Sequence, residues 1–240
     1  MAFLRSLIYE IYFALAILVV GSFGAIAVLF DRKYALNVVN IWSRAELWGL
    51  KYIQGITIEV RGIENLRDGK VMVAGKHLST LDTVAPFTMM NTPAFVFKQE
   101  LFKVPIFGWY LKVSGMIAID RDGGMAALKG MVAESKVRIE ENRPILIFPE
   151  GTRQPIGAEP DYKPGVAAIY GMLGVPCVPL ALNTGCYWKN KGMVKRPGKV
   201  VFEFLEPIEP GLKRQEFMEK LQTAIESGTA KLVEEASQRQ

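Results

Sequence analysis

This 240-residue chain has one histidine, His77, in the run Gly75-Lys76-His77-Leu78-Ser79-Thr80-Leu81-Asp82. Any histidine-dependent chemistry rests on it. His77 and Asp82 are five residues apart and do not share a helix face, so they pair only if a loop brings the carboxylate round to the ring. In that arrangement Asp82 accepts the proton of one ring nitrogen, sets the tautomer and stabilises the imidazolium, while the other nitrogen takes a proton from a hydroxyl. Ser79 or Thr80 would cap the helix that follows, with Asp82 in its first turn. A hydrogen-bonded core histidine would show the same pair, so the pair alone has little specificity. No G-x-S-x-G elbow occurs, which leaves a serine hydrolase with weak support and the substrate as a source of the hydroxyl.

Two other segments could hold an anion. Phe148-Pro149-Glu150-Gly151-Thr152-Arg153 follows an apolar run at 145–148, which places Glu150 and Arg153 at the carboxyl end of a strand; Gly151 would let backbone approach a ligand closely. Arg121, in Ile119-Asp120-Arg121-Asp122-Gly123-Gly124, leaves a second strand in the same way. Two guanidinium forks near one cleft suit a phosphate monoester. Glu150 could also pair with one of these arginines in a structural salt bridge, and both readings are open.

The elements that must position these residues follow from the apolar pattern. Short apolar runs bounded by turn residues at 56–60, 71–74, 95–97, 116–119, 145–148, 177–182 and 200–205 predict strands. Helical periodicity falls between several of them: Met125, Leu128, Val132 and Ile139 on a helix ended by Asn142 and Pro144, a second helix at 166–173, and a charged one after Gly211. Strands alternating with helices predict an α/β fold with a mostly parallel sheet flanked by helices, its site at the strand ends.

Ahead of this body, residues 11–30 carry no charge and are long enough as a helix to cross a bilayer. The expectation is an N-terminal membrane helix or a helical hairpin, with Gly21 and Gly24 as the bend of the latter. Arg5 precedes the run while Arg32, Lys33, Arg44 and Lys51 follow it, which places the body of the chain on the cytoplasmic side of the membrane. Val38, Ile41, Ala45, Trp48 and Tyr52 then form the stripe of an amphipathic helix that faces either the core or lipid. Twenty-nine Lys and Arg against 24 Asp and Glu leave a net charge of +5, which fits a membrane surface or phosphorylated small molecules at least as well as nucleic acid. Two cysteines, Cys177 and Cys186, with one histidine exclude a disulfide framework and a structural zinc site; no metal is expected. Lys189, Lys191, Lys195, Arg196 and Lys199 lie in a stretch free of acidic residues, either a site for anionic lipid or CoA phosphates or a solvated loop.

Taken together, the blocks resemble the glycerolipid acyltransferase family that includes the 1-acyl-sn-glycerol-3-phosphate acyltransferases, over about residues 60–185. His77 and Asp82 match its H-x-x-x-x-D block, Arg121 its second, Phe148 to Arg153 its F-P-E-G-T-R block, and Val175-Pro176-Cys177-Val178-Pro179 its V-P-x-V-P block. Phe95-Val96-Phe97-Lys98 and Lys163-x-Gly165 are similarly placed. The resemblance implies a glycerol-3-phosphate acyltransferase-like fold, with residues 1–54 as anchor and amphipathic helix and 55–240 as acyltransferase domain. It implies acyl transfer from acyl-CoA or acyl-carrier protein, as co-substrate and with no bound cofactor, to the sn-2 hydroxyl of a membrane lysophospholipid, giving phosphatidic acid. His77 would be the general base and Asp82 its orienter. Arg121, Glu150, Gly151, Thr152, Arg153 and Lys98 would bind the glycerol phosphate head, and the V-P-x-V-P region would help shape the acyl site. Lys76 stands where relatives often have Asn and could alter the acceptor or bind its phosphate. Acylation of another lysolipid, such as lyso-ornithine lipid, hydrolysis of a lipid or thioester, and a non-catalytic membrane-binding module are the alternatives. No nucleic-acid partner is expected.

Overall fold

Residues 71–74, 145–147 and 177–182 are apolar at nearly every position, which suits a sheet covered on both faces. The computed structural model describes residues 1–66, 69–120 and 122–238 and has that architecture. Seven strands, β1 (Ile56–Arg61), β2 (Met72–Gly75), β3 (Ala94–Lys98), β4 (Ile117–Ile119), β5 (Ile145–Ile147), β6 (Cys177–Leu182) and β7 (Gly198–Phe204), form one sheet in the order β1-β7-β6-β2-β5-β3-β4. From β6 to β4 the neighbours are parallel. β7 runs antiparallel to β6 and β1 runs parallel to β7, so the two strands at one end of the sheet oppose the other five.

Side chains alternate between two cores, as the pleat requires. Met72, Ala74, Ile145, Ile147 and Cys177 face α5 (Gly124–Glu140), α6 (Gly165–Leu173) and α8 (Arg214–Ser237). Tyr170 of α6 and Phe217 of α8 stack at 3.7 Å between ring centres and join those two helices. Val73, Leu146, Val178 and Leu180 face the opposite way into a cluster that includes Tyr9 and Leu50 of the N-terminal segment. Helix α5 stops at Glu140, with Asn142 left-handed at φ 62°, and α6 stops at left-handed Gly174, where a glycine meets no Cβ penalty.

The N-terminal segment is a helical hairpin. Helix α1 (Ala2–Phe30) is long and apolar enough to cross a membrane by length and composition, with a mean hydropathy of 2.6 over its most apolar stretch. It begins well before the charge-free run because Arg5 and Glu10 both find partners: Arg5 Nε donates to the Ile53 carbonyl at 2.6 Å, and Glu10 pairs with buried Lys195. Gly21 and Gly24 do not bend it. They are points of close approach: the Tyr110 hydroxyl donates to the Gly21 carbonyl at 2.8 Å, and a Cβ at Gly24 would overlap Val38. The chain turns instead at residues 31–33, and α2 (Tyr34–Gly49) returns antiparallel along α1, with Tyr12 donating to the Ala45 carbonyl at 2.7 Å.

The amphipathic stripe of α2 mostly faces outward. Ile41, Trp48 and Tyr52 are exposed, and with Leu4, Ile11, Leu18, Phe23 and Ile26 of α1 they leave an apolar surface along the hairpin. The inner side of the hairpin holds Tyr9, Val28, Ala35 and Val38 against the body.

The close approach at Gly24 predicts that Gly24→Leu overpacks the hairpin by about 1–3 kcal/mol. Thermal unfolding in detergent should show a lowered Tm, while Gly171→Ala, where a new Cβ meets nothing within 4 Å, leaves it unchanged or raised.

Candidate active site

The carboxyl ends of β2, β5 and β6 lie side by side, and the loops leaving them carry the reactive groups. After β2 the chain passes through Lys76 and His77 into the one-turn helix α3 (Leu81–Val84). Asp82 folds back over this loop. Its Oδ2 accepts the backbone N–H groups of Leu78 at 2.6 Å and Ser79 at 2.7 Å, and lies 3.0 Å from His77 Nδ1. The loop that the five-residue spacing demands is therefore held by Asp82 itself. Ser79 accepts the N–H of Leu81 through its hydroxyl. A carboxylate only accepts, so Nδ1 carries the ring proton and Nε2 is left to take one. The imidazole stacks on Phe148, the first residue past β5, at 4.1 Å between ring centres, which fixes its plane.

One partner of this dyad escapes sequence reasoning. Thr184, at the start of α7 (Thr184–Tyr187) just after β6, donates its hydroxyl to Asp82 Oδ1 at 2.6 Å. Both residues are fully buried. Nothing in a single threonine 102 residues away marks it as the second support of the carboxylate. Its place at the end of an apolar strand is the one signal available.

Glu150 faces inward, and among the described residues its charged partner is Lys76 rather than Arg153. Its Oε1 accepts from Lys76 Nζ at 2.7 Å and its Oε2 accepts the His77 backbone N–H at 3.3 Å. Burial lifts this carboxyl above its usual range, against the pull of the Lys76 ammonium. Gly151 adopts a left-handed φ of 67°, and its N–H closes a turn onto the Phe148 carbonyl at 2.9 Å. With the amides of Leu78 and Ser79 spent on Asp82, three backbone donors around His77 are already engaged inside the protein.

Thr152 and Arg153 are exposed on the same loop, and Arg153 Nη1 donates to Thr80 Oγ1 at 2.7 Å. Lys98 ends β3, beside β5, and is exposed with Glu100 3.5 Å away. Arg121 follows β4 and lies outside the described residues. Of the five basic residues at 189–199, Lys195 is buried against Glu10 and Lys199 pairs with Glu59 at 2.9 Å, so the stretch is not a uniform solvated loop. Burial holds both cysteine thiols above their usual range, which leaves no ready thiolate nucleophile.

Beside the dyad lies an apolar cavity of about 270 Å³. Thr80 and Thr83, on either side of Asp82 in the chain, line it; Phe13 and Ile17 of α1, Trp42 of α2, and Phe97 with Phe107 form its walls. The V-P-x-V-P segment, expected to help shape an acyl site, contributes none of this lining and instead runs through the central strand β6.

The acyltransferase family model matches residues 57–183. A 1-acyl-sn-glycerol-3-phosphate acyltransferase of Pseudomonas aeruginosa is 36% identical over 171 residues, which are 71% of this chain and 66% of that protein's length. One from Limnanthes alba is 28% identical over 82% of this chain and 71% of its own. The crystal structure of the 1-acyl-sn-glycerophosphate acyltransferase of Thermotoga maritima superposes with a TM-score of 0.79, covering 97% of this chain and 98% of that one at 25% identity.

The buried Thr184 hydroxyl yields a test. Thr184→Val keeps the shape and strands one Asp82 oxygen, which should lower stability by about 1–3 kcal/mol. If Asp82 orients His77, the rate of thiol release from an acyl-thioester by the folded variant should fall about tenfold, roughly the effect of 1.4 kcal/mol.

Proposed function

The chain belongs to the acyltransferase family, and on that premise we propose that it transfers a fatty acyl group to the free sn-2 hydroxyl of 1-acyl-sn-glycerol-3-phosphate, giving phosphatidic acid. Acyl-CoA or acyl-carrier protein is the donor. The observation that carries this reading is the placing of three unlike groups together: the oriented imidazole of His77, an apolar cavity beside it, and the Arg153 guanidinium bonded to Thr80, itself part of the cavity wall. A lysophospholipid and a fatty thioester between them need a base, an apolar slot and a cation.

In the proposed reaction His77 Nε2 removes the acceptor's hydroxyl proton as that oxygen attacks the thioester carbonyl. The carbonyl oxygen carries the negative charge of the tetrahedral intermediate until the carbon–sulfur bond breaks. The departing thiolate takes the proton back from the imidazolium, so proton and acyl group both balance without a covalent enzyme intermediate. Asp82 stabilises the imidazolium formed between the two steps. Arg153, with Arg121 and Lys98, attracts the acceptor's phosphate, and a fork geometry favours the arginines for a monoester.

The membrane supplies the acceptor and receives the product. The outward residues of α1 are largely apolar, with Arg32, Lys33 and Arg44 exposed at the turn and along α2, while α1 is pinned to the body near its start through Arg5 and again at Gly21. A helix pinned in this way is best served by lying in one leaflet, on the cytoplasmic side that the basic residues after it favour.

Two measurements test these readings. Purified wild-type protein given oleoyl-CoA and lysophosphatidic acid should release thiol and form phosphatidic acid, and His77→Ala should lose about 10²- to 10⁴-fold of that rate. Free fatty acid without an acceptor would indicate a hydrolase, and product from lyso-ornithine lipid alone would move the enzyme to another acceptor. For topology, single cysteines placed at Phe3 and Asp31 in a Cys177→Ala, Cys186→Ala background should both react with an impermeant maleimide from the cytoplasmic side. Labelling from opposite sides would instead establish a crossing.

A further inference from the structure

A lysine ammonium has three protons and no acceptor. Lys76 spends its protons inside the protein: Nζ lies 2.7 Å from Glu150 Oε1, 2.8 Å from Glu226 Oε1 and 3.0 Å from Glu226 Oε2. The side chain of Lys76 is 3% exposed and that of Glu150 0%. Glu226, on α8, has a further anchor, because the Tyr162 hydroxyl donates to its Oε1 at 2.8 Å. With its protons spent on two carboxylates, Lys76 has none to offer an acceptor's phosphate.

The geometry makes a continuous path. Helix α8 holds Lys76 through Glu226, Lys76 holds one oxygen of Glu150, and the other oxygen of Glu150 holds the backbone of His77. Two carboxylates close to a single cation repel each other unless the cation sits between them, so the position of Glu150 is set jointly by Lys76 and Glu226. The same loop is also held on its other side, where the Gln154 N–H donates to the His77 carbonyl at 2.8 Å. Both backbone polar groups of His77 are thus fastened to the loop after β5, and the ion triad ties that loop to a helix on the far face of the sheet.

We infer that Lys76 and Glu226 are positioning residues of the acyl-transfer site, acting through Glu150 to place the His77 base, and that Glu150 serves this placement instead of touching the acceptor. The inference rests on the acyl-transfer reading for its kinetic test. Its spectroscopic test does not need that reading, because His77 is the only histidine and its imidazole resonances report on it alone once any tag is removed.

Glu226→Gln keeps the side-chain volume and removes the charge; Lys76→Met keeps the stem and removes the cation. In both, kcat for phosphatidic acid formation should fall about 10- to 100-fold, the scale of a small misplacement of a reacting group. KM for lysophosphatidic acid should stay within about threefold, since no contact to the acceptor is removed. The ¹⁵N resonances of the His77 imidazole should shift or broaden in both. Lys76→Met leaves Glu150 buried without its cation, so if that variant fails to fold, Glu226→Gln, altered at the partly exposed end of the triad, carries the test. A folded Glu226→Gln with wild-type kcat and unmoved His77 resonances, even at a lowered Tm, would overturn the inference. A raised KM with unchanged kcat would overturn it too, by giving the triad to acceptor binding. Wild-type protein that makes no phosphatidic acid, with His77 resonances that still move in the variants, would refute the acceptor and support the positioning.

Discussion

A carboxylate sealed from water has to find its hydrogen-bond donors inside the protein, and Asp82, with no solvent exposure, finds four: two backbone amides, the His77 ring and the Thr184 hydroxyl. Left unpaired, such an ion would be expelled or neutralised. Satisfying it requires a tight loop after β2, a helix that starts at Leu81, and a strand β6 whose end delivers Thr184 to the same point. Two segments far apart in the chain, the stretch 76–84 and the end of β6, converge because one buried charge demands it, and His77 gains its orientation as part of the same arrangement. The second buried charge, Glu150, is met in the same manner by Lys76 and the His77 amide. The His77 loop is thus suspended between two buried carboxylates, one holding the ring and the other the backbone.

The hairpin is bound to the body by a comparable device. Lys195, buried, pairs with Glu10 and lies over the rings of Tyr9 and Trp188 at 5.0 and 4.4 Å, an arrangement that offsets the cost of removing an ammonium from water. Its backbone N–H donates to Ser6 at 2.9 Å. Trp188 also meets Phe13 edge-on, so the first turns of α1 and the segment after β6 form one aromatic and ionic seam.

Much of this was legible in the sequence, and for a reason. The strands were readable because an interior strand must be apolar, short and bounded by turn residues, and each of the seven expected runs became a strand to within two residues at either end. The pairing of His77 with Asp82 was readable because both lie in one short loop. What stayed hidden depends on partners distant along the chain: Glu226 is 150 residues from Lys76, and Thr184 is 102 from Asp82. Local pattern does not encode the partner of a buried lysine, so Lys76 read as a cation available to a phosphate. The reversal of β1 and β7 was hidden for a related reason, since an apolar run has the same composition in either direction. Gly21 and Gly24 read as a bend because a glycine lowers helix propensity, whereas their use is to let Tyr110 and Val38 come close.

The cavity beside His77 takes its walls from two sources, Phe13, Ile17 and Trp42 on the hairpin and Phe97 and Phe107 on the body. The hairpin is therefore not an interchangeable part. A foreign transmembrane helix grafted in its place could hold the protein at a bilayer, yet it would leave the pocket without one side. Any change to the inner face of the hairpin, whatever it does for the outer face, therefore also reshapes the space in front of Thr80 and Thr83.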